Sequence, residues 1–278
     1  MVKVISEEKA AELKVFYEEK HPGTICVANY KGGVGKTTLV CLLGYYLAER
    51  TKKRVLLFDI DPQCSLSLAV GFDPEAVSKT ELTIYNLVKP SKWTKVRKTK
   101  FENYVFPVPD TLSPEGLYII RGSFDVDELD MEIAKSFVGE GKRRIDELFL
   151  YCKQMLNGFD KYDYVLVDCP PNKMFLTQAM LRACSFYLPV TIPDAIEARL
   201  GRSILGDLEP IEKDVLGSDA LVGVIPRLDA IARFLGEKTK FSRYEFSRKT
   251  SGQPTIEECL VSITDTVVKR MEGYRAKA

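Results

Sequence analysis

The chain has 278 residues, 45% of them hydrophobic and 28% charged, and a formal net charge of +1. This composition indicates an ordinary soluble protein that folds into one large domain or, less readily, into two small ones. No apolar run approaches the roughly 18 residues needed to cross a bilayer, and the charged N-terminal segment is unlike a signal peptide. We therefore expect a cytoplasmic protein with no membrane contact, whose attraction to nucleic acid would have to come from local basic patches.

Cysteine and histidine usage argues against several kinds of site. The seven cysteines are scattered, never form a CxxC pair and lie mostly among apolar residues, which is typical of buried, reduced thiols. The only histidine, His21, lies in the segment KHPG, where it is poorly placed for a catalytic triad and cannot form a multi-histidine metal site. We therefore predict no disulfide, no zinc site and no catalytic histidine.

In chain order, residues 7–20 predict a short amphipathic helix that ends at Pro22-Gly23. Beyond it, runs that are apolar on both faces predict the strands of a parallel sheet covered by helices. These runs lie at 24–28, 55–58, 117–120, 164–167, 186–190 and 221–225. Helical periodicity predicts a helix at 36–50 and another at 126–157, broken near 139–141.

The alternation of strands and helices predicts an α/β fold, namely a doubly wound, mostly parallel sheet flanked by helices. No repeat and no low-complexity linker divides the chain. We therefore predict an N-terminal helical extension at 1–22 and a single domain at 23–278.

A glycine-rich loop lies between the first predicted core strand and the first long helix. Residues 31–38 read KGGVGKTT, and this context is the one that a phosphate-binding loop requires. The glycines let consecutive N–H groups point at phosphates, and the helix N-terminus adds partial positive charge. Lys36 would reach the β- and γ-phosphates, and the Thr37 hydroxyl would bind Mg²⁺. The predicted nucleotide-binding residues of the loop are Lys31, Gly32, Gly33, Val34, Gly35, Lys36, Thr37 and Thr38.

The loop departs from the standard phosphate-loop pattern, which has glycine five residues before Gly35. This chain has Tyr30 there and an additional lysine, Lys31, inside the loop. The sequence KGGxGKT resembles the deviant Walker-A group of P-loop ATPases, and with the motifs below it resembles the ParA partition ATPases. The resemblance implies ATP and Mg²⁺ as cofactors and a homodimer in the ATP state, in which Lys31 reaches the partner's nucleotide. A solvated loop lysine is the alternative interpretation.

Two later strands end in carboxylates, at the sheet edge where α/β proteins bind ligands. The segment at 59–63 reads DIDPQ and resembles the family's switch segment. This resemblance implies that Asp61 positions the attacking water and that Asp59 supports the magnesium shell, although a strand-end cap is the alternative role of Asp61. The run at 164–167 ends in Asp168, a Walker-B arrangement that would hold Mg²⁺ directly or through water. The predicted catalytic residues are Lys31, Lys36 and Asp61, and the predicted metal ligands are Thr37, Asp59 and Asp168.

The resemblance extends over roughly residues 24–225. The segment at 223–229 resembles the strand end where the family holds adenine, which implies adenine contacts from Pro226, Arg227 and Asp229. Beyond this segment the match degrades, because the stretch before GQP at 252–254 is much shorter than in the family.

Two basic stretches could bind nucleic acid, one at 89–100 with Trp93 and no acid, and one at 227–249. Family members bind DNA without sequence preference through basic residues near their C-terminal part, so the resemblance favours the second stretch, although a solvated face is the alternative for either. The predicted DNA-binding residues are Arg227, Arg233, Lys238, Lys240, Arg243, Arg248 and Lys249. The resemblance also implies nucleoid association in the ATP state and a centromere-binding, ParB-like partner that stimulates hydrolysis.

Three relatives with other functions share the loop signature. A MinD-like membrane ATPase would end in a basic amphipathic helix, whereas the segment at 255–274 has few cations opposite its apolar face, which predicts packing on its own sheet. An iron–sulfur reductase would need a cysteine at 101–130 to match Cys169, and none is present. A synthetase of the dethiobiotin or cobyrinate-amidating kind generally lacks Lys31 and the DxDPQ segment. The sequence therefore predicts an ATPase switch for plasmid or chromosome partition. The alternatives are an ATPase that positions a protein assembly or a membrane-associated, MinD-like division factor, and an ATP-dependent biosynthetic synthetase.

Overall fold

The computed structural model describes residues 20–78, 82–93, 99–109, 114–136, 141–190 and 256–276. The predicted helix at 7–20, except for its last residue, and the predicted strand at 221–225 lie outside these ranges.

Six described strands form one sheet in the order β3-β4-β2-β5-β1-β6. They are β1 (Thr24–Ala28), β2 (Val55–Asp59), β3 (Val105–Pro107), β4 (Leu117–Ile120), β5 (Tyr164–Asp168) and β6 (Phe186–Pro189). All neighbouring pairs are parallel except β3 with β4. The predicted mostly parallel sheet is confirmed. The short antiparallel β3 was not predicted, because three residues at a half-exposed edge carry no buried apolar run.

Eight described helices accompany the sheet. They are α1 (Lys36–Thr51), α2 (Ser65–Ala69), α3 (Pro74–Ser78), α4 (Ile84–Val88), α5 (Val126–Ser136), α6 (Gly141–Asn157), α7 (Phe175–Ala183) and α8 (Ile256–Arg275), and a 3₁₀ turn covers Phe101–Tyr104. The helix predicted at 36–50 is α1. The long segment predicted at 126–157 forms the two helices α5 and α6, and the residues between them, 137–140, lie outside the described ranges.

Both faces of the sheet are covered, which explains why its central strands are apolar throughout. Leu56 and Val165 face a core cluster built with α5, α6 and α7, whereas Leu57 and Leu166 face a second cluster built with α1 and α8. Every residue of β2 and β5 is buried. This burial on both sides is what parallel sheets require.

Helix α8 packs its apolar face against the domain, as predicted. Leu260, Ile263, Val267 and Met271 are buried. Helix α8 contacts α1, and Ile263, Val267 and Met271 share a core cluster with residues of α1 and of the sheet. Asp265 of α8 also forms an ion pair with Arg50 of α1, at 3.0 Å between Oδ1 and Nη2. Among the helices described, none combines the length and the apolar composition needed to cross a membrane.

Candidate nucleotide-binding site

The loop between β1 and α1 has the backbone shape of an anion cradle. Gly33 and Gly35 have φ angles of 75° and 91°, a left-handed region that glycine enters without steric cost. An added Cβ at Gly33 would meet no described atom within 4 Å, so the space beside the loop is open. Helix α1 has no side-chain cap and no acidic residue in its first turn. The N–H groups of that turn and the positive end of the helix dipole are therefore available to phosphate oxygens.

Lys36 lies folded back over the loop. Its Nζ donates to the carbonyl oxygen of Lys31 at 3.0 Å, and the residue is only 6% exposed. Burial lowers the pKa of Lys36, although Asp168 and Asp61 act in the opposite direction. Lys31, by contrast, is exposed. The two lysines of the motif therefore occupy different environments, one inside the site and one at the surface.

Asn29 supports the loop through its side chain, although it belongs to none of the sequence motifs. Its Oδ1 accepts from Lys31 N at 3.1 Å, and its Nδ2 donates to Val190 O at 2.7 Å. Asn29 is 1% exposed. Its position directly after β1 was the signal that could have identified it, because an amide there can bond both to the loop and to the chain that follows a neighbouring strand.

Asp168 places a carboxyl group with unused hydrogen-bonding capacity in the core. It lies opposite Asp59 in the β2–β5 register and opposite Val27 on β1, and it is fully buried. Neither carboxylate oxygen has a hydrogen-bond partner among the described residues. Burial and then the Asp59 charge raise the pKa of Asp168, whereas the nearby Thr37 hydroxyl lowers it, although the two groups do not form a hydrogen bond of ordinary geometry. Oxygen ligands of this kind suit Mg²⁺, so the residues present fit the ion.

Asp61 is also buried, at 7% exposed. Its Oδ1 accepts from Gln63 N at 2.9 Å. Burial raises the pKa of Asp61, whereas the Gln63 N–H and the Lys36 charge lower it. Asp61 therefore caps the turn after β2 and also faces the cation of the site, so the two roles considered from the sequence are compatible.

Asp59 is held more tightly than Asp61 or Asp168. Its Oδ2 accepts from the backbone N–H of Ser67 at 2.8 Å and from the Ser67 hydroxyl at 2.6 Å. Burial raises the pKa of Asp59 to about 6, although both Ser67 bonds favour the ionised form. Sequence reasoning missed Ser67, because a serine within the apolar run SLSLA matches no motif.

The described residues hold no group of three or more His, Cys, Asp or Glu side chains arranged to bind a metal. All seven cysteines are free and buried, as predicted, and Cys169 contacts Cys26, with 3.2 Å between their sulfurs. His21 accepts from Gly23 N through Nδ1 at 3.0 Å, a structural role.

The predicted adenine and DNA contacts lie outside the described residues. This applies to Pro226, Arg227 and Asp229 and to the basic residues Arg233, Lys238, Lys240, Arg243, Arg248 and Lys249. In the other basic stretch, Trp93 is buried and its Nε1 donates to Val88 O at 2.9 Å. Its ring therefore belongs to the core and is not available to stack on a base.

Comparison with known proteins agrees with this geometry. Residues 23–208 match the family model AAA_31, described as an AAA domain. The chromosome-partitioning ATPase Soj of Treponema pallidum is 34% identical over 165 residues, which are 58% of this chain and 54% of that protein. The chain spans about half of the length of the curated relatives it matches.

Two solved structures share the fold. A protein assigned to plasmid partition in Borrelia burgdorferi B31, bound to AMPPNP, has a TM-score of 0.62 at 17% identity and covers 90% of this chain and 99% of its own. The second is the cobyrinic acid a,c-diamide synthase of Mycobacterium smegmatis with a bound ATP analogue and magnesium. It has a TM-score of 0.60 at 19% identity, and the match covers 92% of this chain and 97% of the synthase. At such identities these similarities show the fold alone. The family model spans most of the chain and includes the loop and both carboxylate motifs, and the chain therefore belongs to the AAA_31 family, as a ParA/Soj-type P-loop ATPase domain.

Proposed function

We propose that this protein is a Mg²⁺-dependent ATPase switch for partition of a plasmid or chromosome. In this proposal the chain forms a homodimer in the ATP state, binds DNA without sequence preference and is reset by slow hydrolysis, which a centromere-binding, ParB-like protein accelerates. The observation that carries it is the convergence of Lys36 with Asp59, Asp61 and Asp168 beside an uncapped helix N-terminus.

In this mechanism the loop amides and Lys36 bind the phosphates. Lys36 Nζ exchanges the Lys31 carbonyl for phosphate oxygens, a short movement because the side chain already lies over the loop. Thr37 and Asp168 would hold Mg²⁺, which neutralises phosphate charge when bound. Asp61 accepts a hydrogen bond from the attacking water and orients it, and the burial of Asp61 limits competing contact with bulk water.

The position of Lys31 supports dimerisation. The residue lies at the surface beside the loop opening, and the Lys31 backbone is tied to Asn29 and Lys36. A lysine on such an anchored backbone can project toward the nucleotide of a second protomer. Stabilisation of transferring phosphoryl charge by a cation from a partner is worth about 10³–10⁵ in rate for arginine fingers.

The test is binding of random-sequence duplex DNA with ATP–Mg²⁺, with ADP–Mg²⁺ and without nucleotide, each across a salt titration. We expect tight, salt-sensitive binding only with ATP. Asp61→Ala should trap the ATP-bound dimer that binds DNA, and Lys31→Ala should lose ATP-dependent dimerisation. Lys135→Ala, an exposed lysine on α5, is the matched control and should behave as the wild type.

Two results would contradict the proposal. If Asp61→Ala abolished nucleotide binding, the residue would be structural rather than catalytic. If DNA did not bind in any nucleotide state, partition would be excluded. ATP turnover that needs a small carboxylic acid would then favour a synthetase, and turnover without it would favour positioning of a protein assembly.

A further inference from the structure

Ser67 lies at the centre of a buried hydrogen-bond junction beside the nucleotide site. Its N–H and its hydroxyl both donate to Oδ2 of Asp59, at 2.8 and 2.6 Å. The same hydroxyl oxygen accepts from Gly122 N at 2.8 Å. Ser67 is 1% exposed and Asp59 is 0% exposed, so bulk water does not compete for these bonds, and each group depends on its protein partners.

The junction joins three segments of the chain, namely the end of β2, helix α2 and the residues after β4. It has little free space, because a Cβ added at Gly122 would lie 2.8 Å from Asp59 Oδ2 and 2.9 Å from Cys64 Sγ. The Asp59 carboxylate is therefore confined on one side by the backbone of Gly122 and held on the same side by two donors. Its orientation is determined by Ser67 rather than by solvent.

The two short bonds fall on the same carboxylate oxygen. The other oxygen, Oδ1, receives a longer bond from Asp61 N at 3.4 Å. Because Asp59 lies opposite Asp168 in the strand register, a metal ion held at Asp168 would have this carboxylate as its neighbour. Oδ1 is the atom with remaining capacity to accept a hydrogen bond from water bound to that ion.

Resting on the proposed function, we propose that Ser67 is a positioning residue for Mg²⁺. Its hydroxyl orients Asp59 so that Oδ1 accepts from the water shell of the nucleotide-bound ion, and it links this carboxylate to the chain after β4. Residues that orient a metal site from behind typically change metal affinity by about 10–100-fold when they are replaced.

The first test measures the Mg²⁺ concentration that half-saturates binding of a fluorescent, non-hydrolysable ATP analogue. We expect Ser67→Ala to raise this concentration about tenfold while nucleotide affinity without Mg²⁺ stays unchanged. Ser67→Thr retains the hydroxyl and should restore the wild-type value. Ser65→Ala, a half-buried serine two residues earlier on the same helix, is the matched control.

The second test follows hydrogen exchange at the Gly122 amide, which reports directly on its bond to Ser67. We expect this amide to exchange faster in Ser67→Ala than in the wild type, and the Mg²⁺–analogue complex to slow it only where the hydroxyl is present. Ser67→Cys preserves the side-chain size with a weaker donor, and it replaces Ser67→Ala in both tests if the alanine variant does not fold.

The proposal is overturned if a folded Ser67→Ala or Ser67→Cys variant needs no more Mg²⁺ than the wild type. It is also overturned if nucleotide affinity falls equally with and without Mg²⁺, which would indicate a purely structural serine. Failure of the wild-type protein to bind the analogue at all would instead refute the proposed function, so the two failures are distinguishable.

Discussion

Replacing Asp168 by asparagine should stabilise the ligand-free protein and remove its Mg²⁺-dependent nucleotide binding. Both carboxylate oxygens of Asp168 are buried without a hydrogen-bond partner among the described residues. A buried polar group left in this way costs about 1–3 kcal/mol, and more when it is charged. Asparagine has nearly the same volume and avoids the cost of burying or protonating this carboxylate, whose pKa is raised by burial, so we expect the free energy of unfolding at neutral pH to rise by about 1–3 kcal/mol.

Bound nucleotide should make the wild type more stable than Asp168→Asn, the reverse of the order expected without ligand. A ligand at 100 times its Kd adds about 2.7 kcal/mol to the stability of the protein that binds it. The wild type should gain this increment with Mg²⁺ and a non-hydrolysable ATP analogue, whereas Asp168→Asn should gain little, because a neutral amide is a poor Mg²⁺ ligand. Urea unfolding monitored by circular dichroism, with and without Mg²⁺ and analogue, measures both effects.

The control is Asp160→Asn, which replaces an exposed aspartate before β5 and should change stability by no more than about 0.5 kcal/mol. If Asp168→Asn were less stable than the wild type without ligand, the carboxylate would have a stabilising partner, and the reasoning from its vacant oxygens would be refuted. If the variant bound Mg²⁺–nucleotide normally, Asp168 would not be a ligand.

Three further predictions concern the site and the packing of α8. Gly122→Ala should destabilise the protein by about 1–3 kcal/mol, because the added Cβ would lie 2.8 Å from Asp59 Oδ2. Gly273→Ala places its Cβ in open space and should not destabilise the protein, and thermal unfolding compares the two variants. The pKa of Asp59 rises from 3.8 to about 6 on folding, so protonation of this carboxylate favours the folded state. The ionisation of Asp59 therefore lowers the free energy of unfolding by about 3 kcal/mol at pH 7.5, and by about 1 kcal/mol less at pH 5.5. Ligand-free wild type should therefore gain stability relative to Asp59→Asn as the pH falls through this window, and an unchanged difference would contradict the assignment. On α8, Met271→Ala should lower the free energy of unfolding by about 2–5 kcal/mol. Asp265→Ala breaks an exposed ion pair and should lower it by no more than about 1 kcal/mol. Equal losses of stability in urea unfolding would contradict the view that apolar packing, rather than charge, holds the helix.

Local chemistry made much of the fold and the centre of the site predictable. Strands apolar on both faces require a parallel sheet covered by helices, and the loop glycines of KGGVGKTT followed by helical periodicity require a phosphate cradle at a helix N-terminus. Carboxylates that end the strands must meet at one sheet edge once the strands are parallel, so Asp61 and Asp168 were accessible to sequence reasoning. The packing face of α8 was likewise visible in its spacing of apolar residues.

The sequence by itself determined the fold class, the nucleotide loop and the acidic residues that accompany it, because each depends on periodicity or on a contiguous motif. Only the tertiary structure decided which groups support that chemistry. Asn29 bonds to Val190, which follows β6 and is 161 positions away in sequence. Ser67 bonds to a residue 55 positions away, and β3 pairs at a sheet edge without a buried apolar pattern. The vacant oxygens of Asp168 and the core position of Trp93 also follow from burial, which is a property of the packed chain and not of any segment of it.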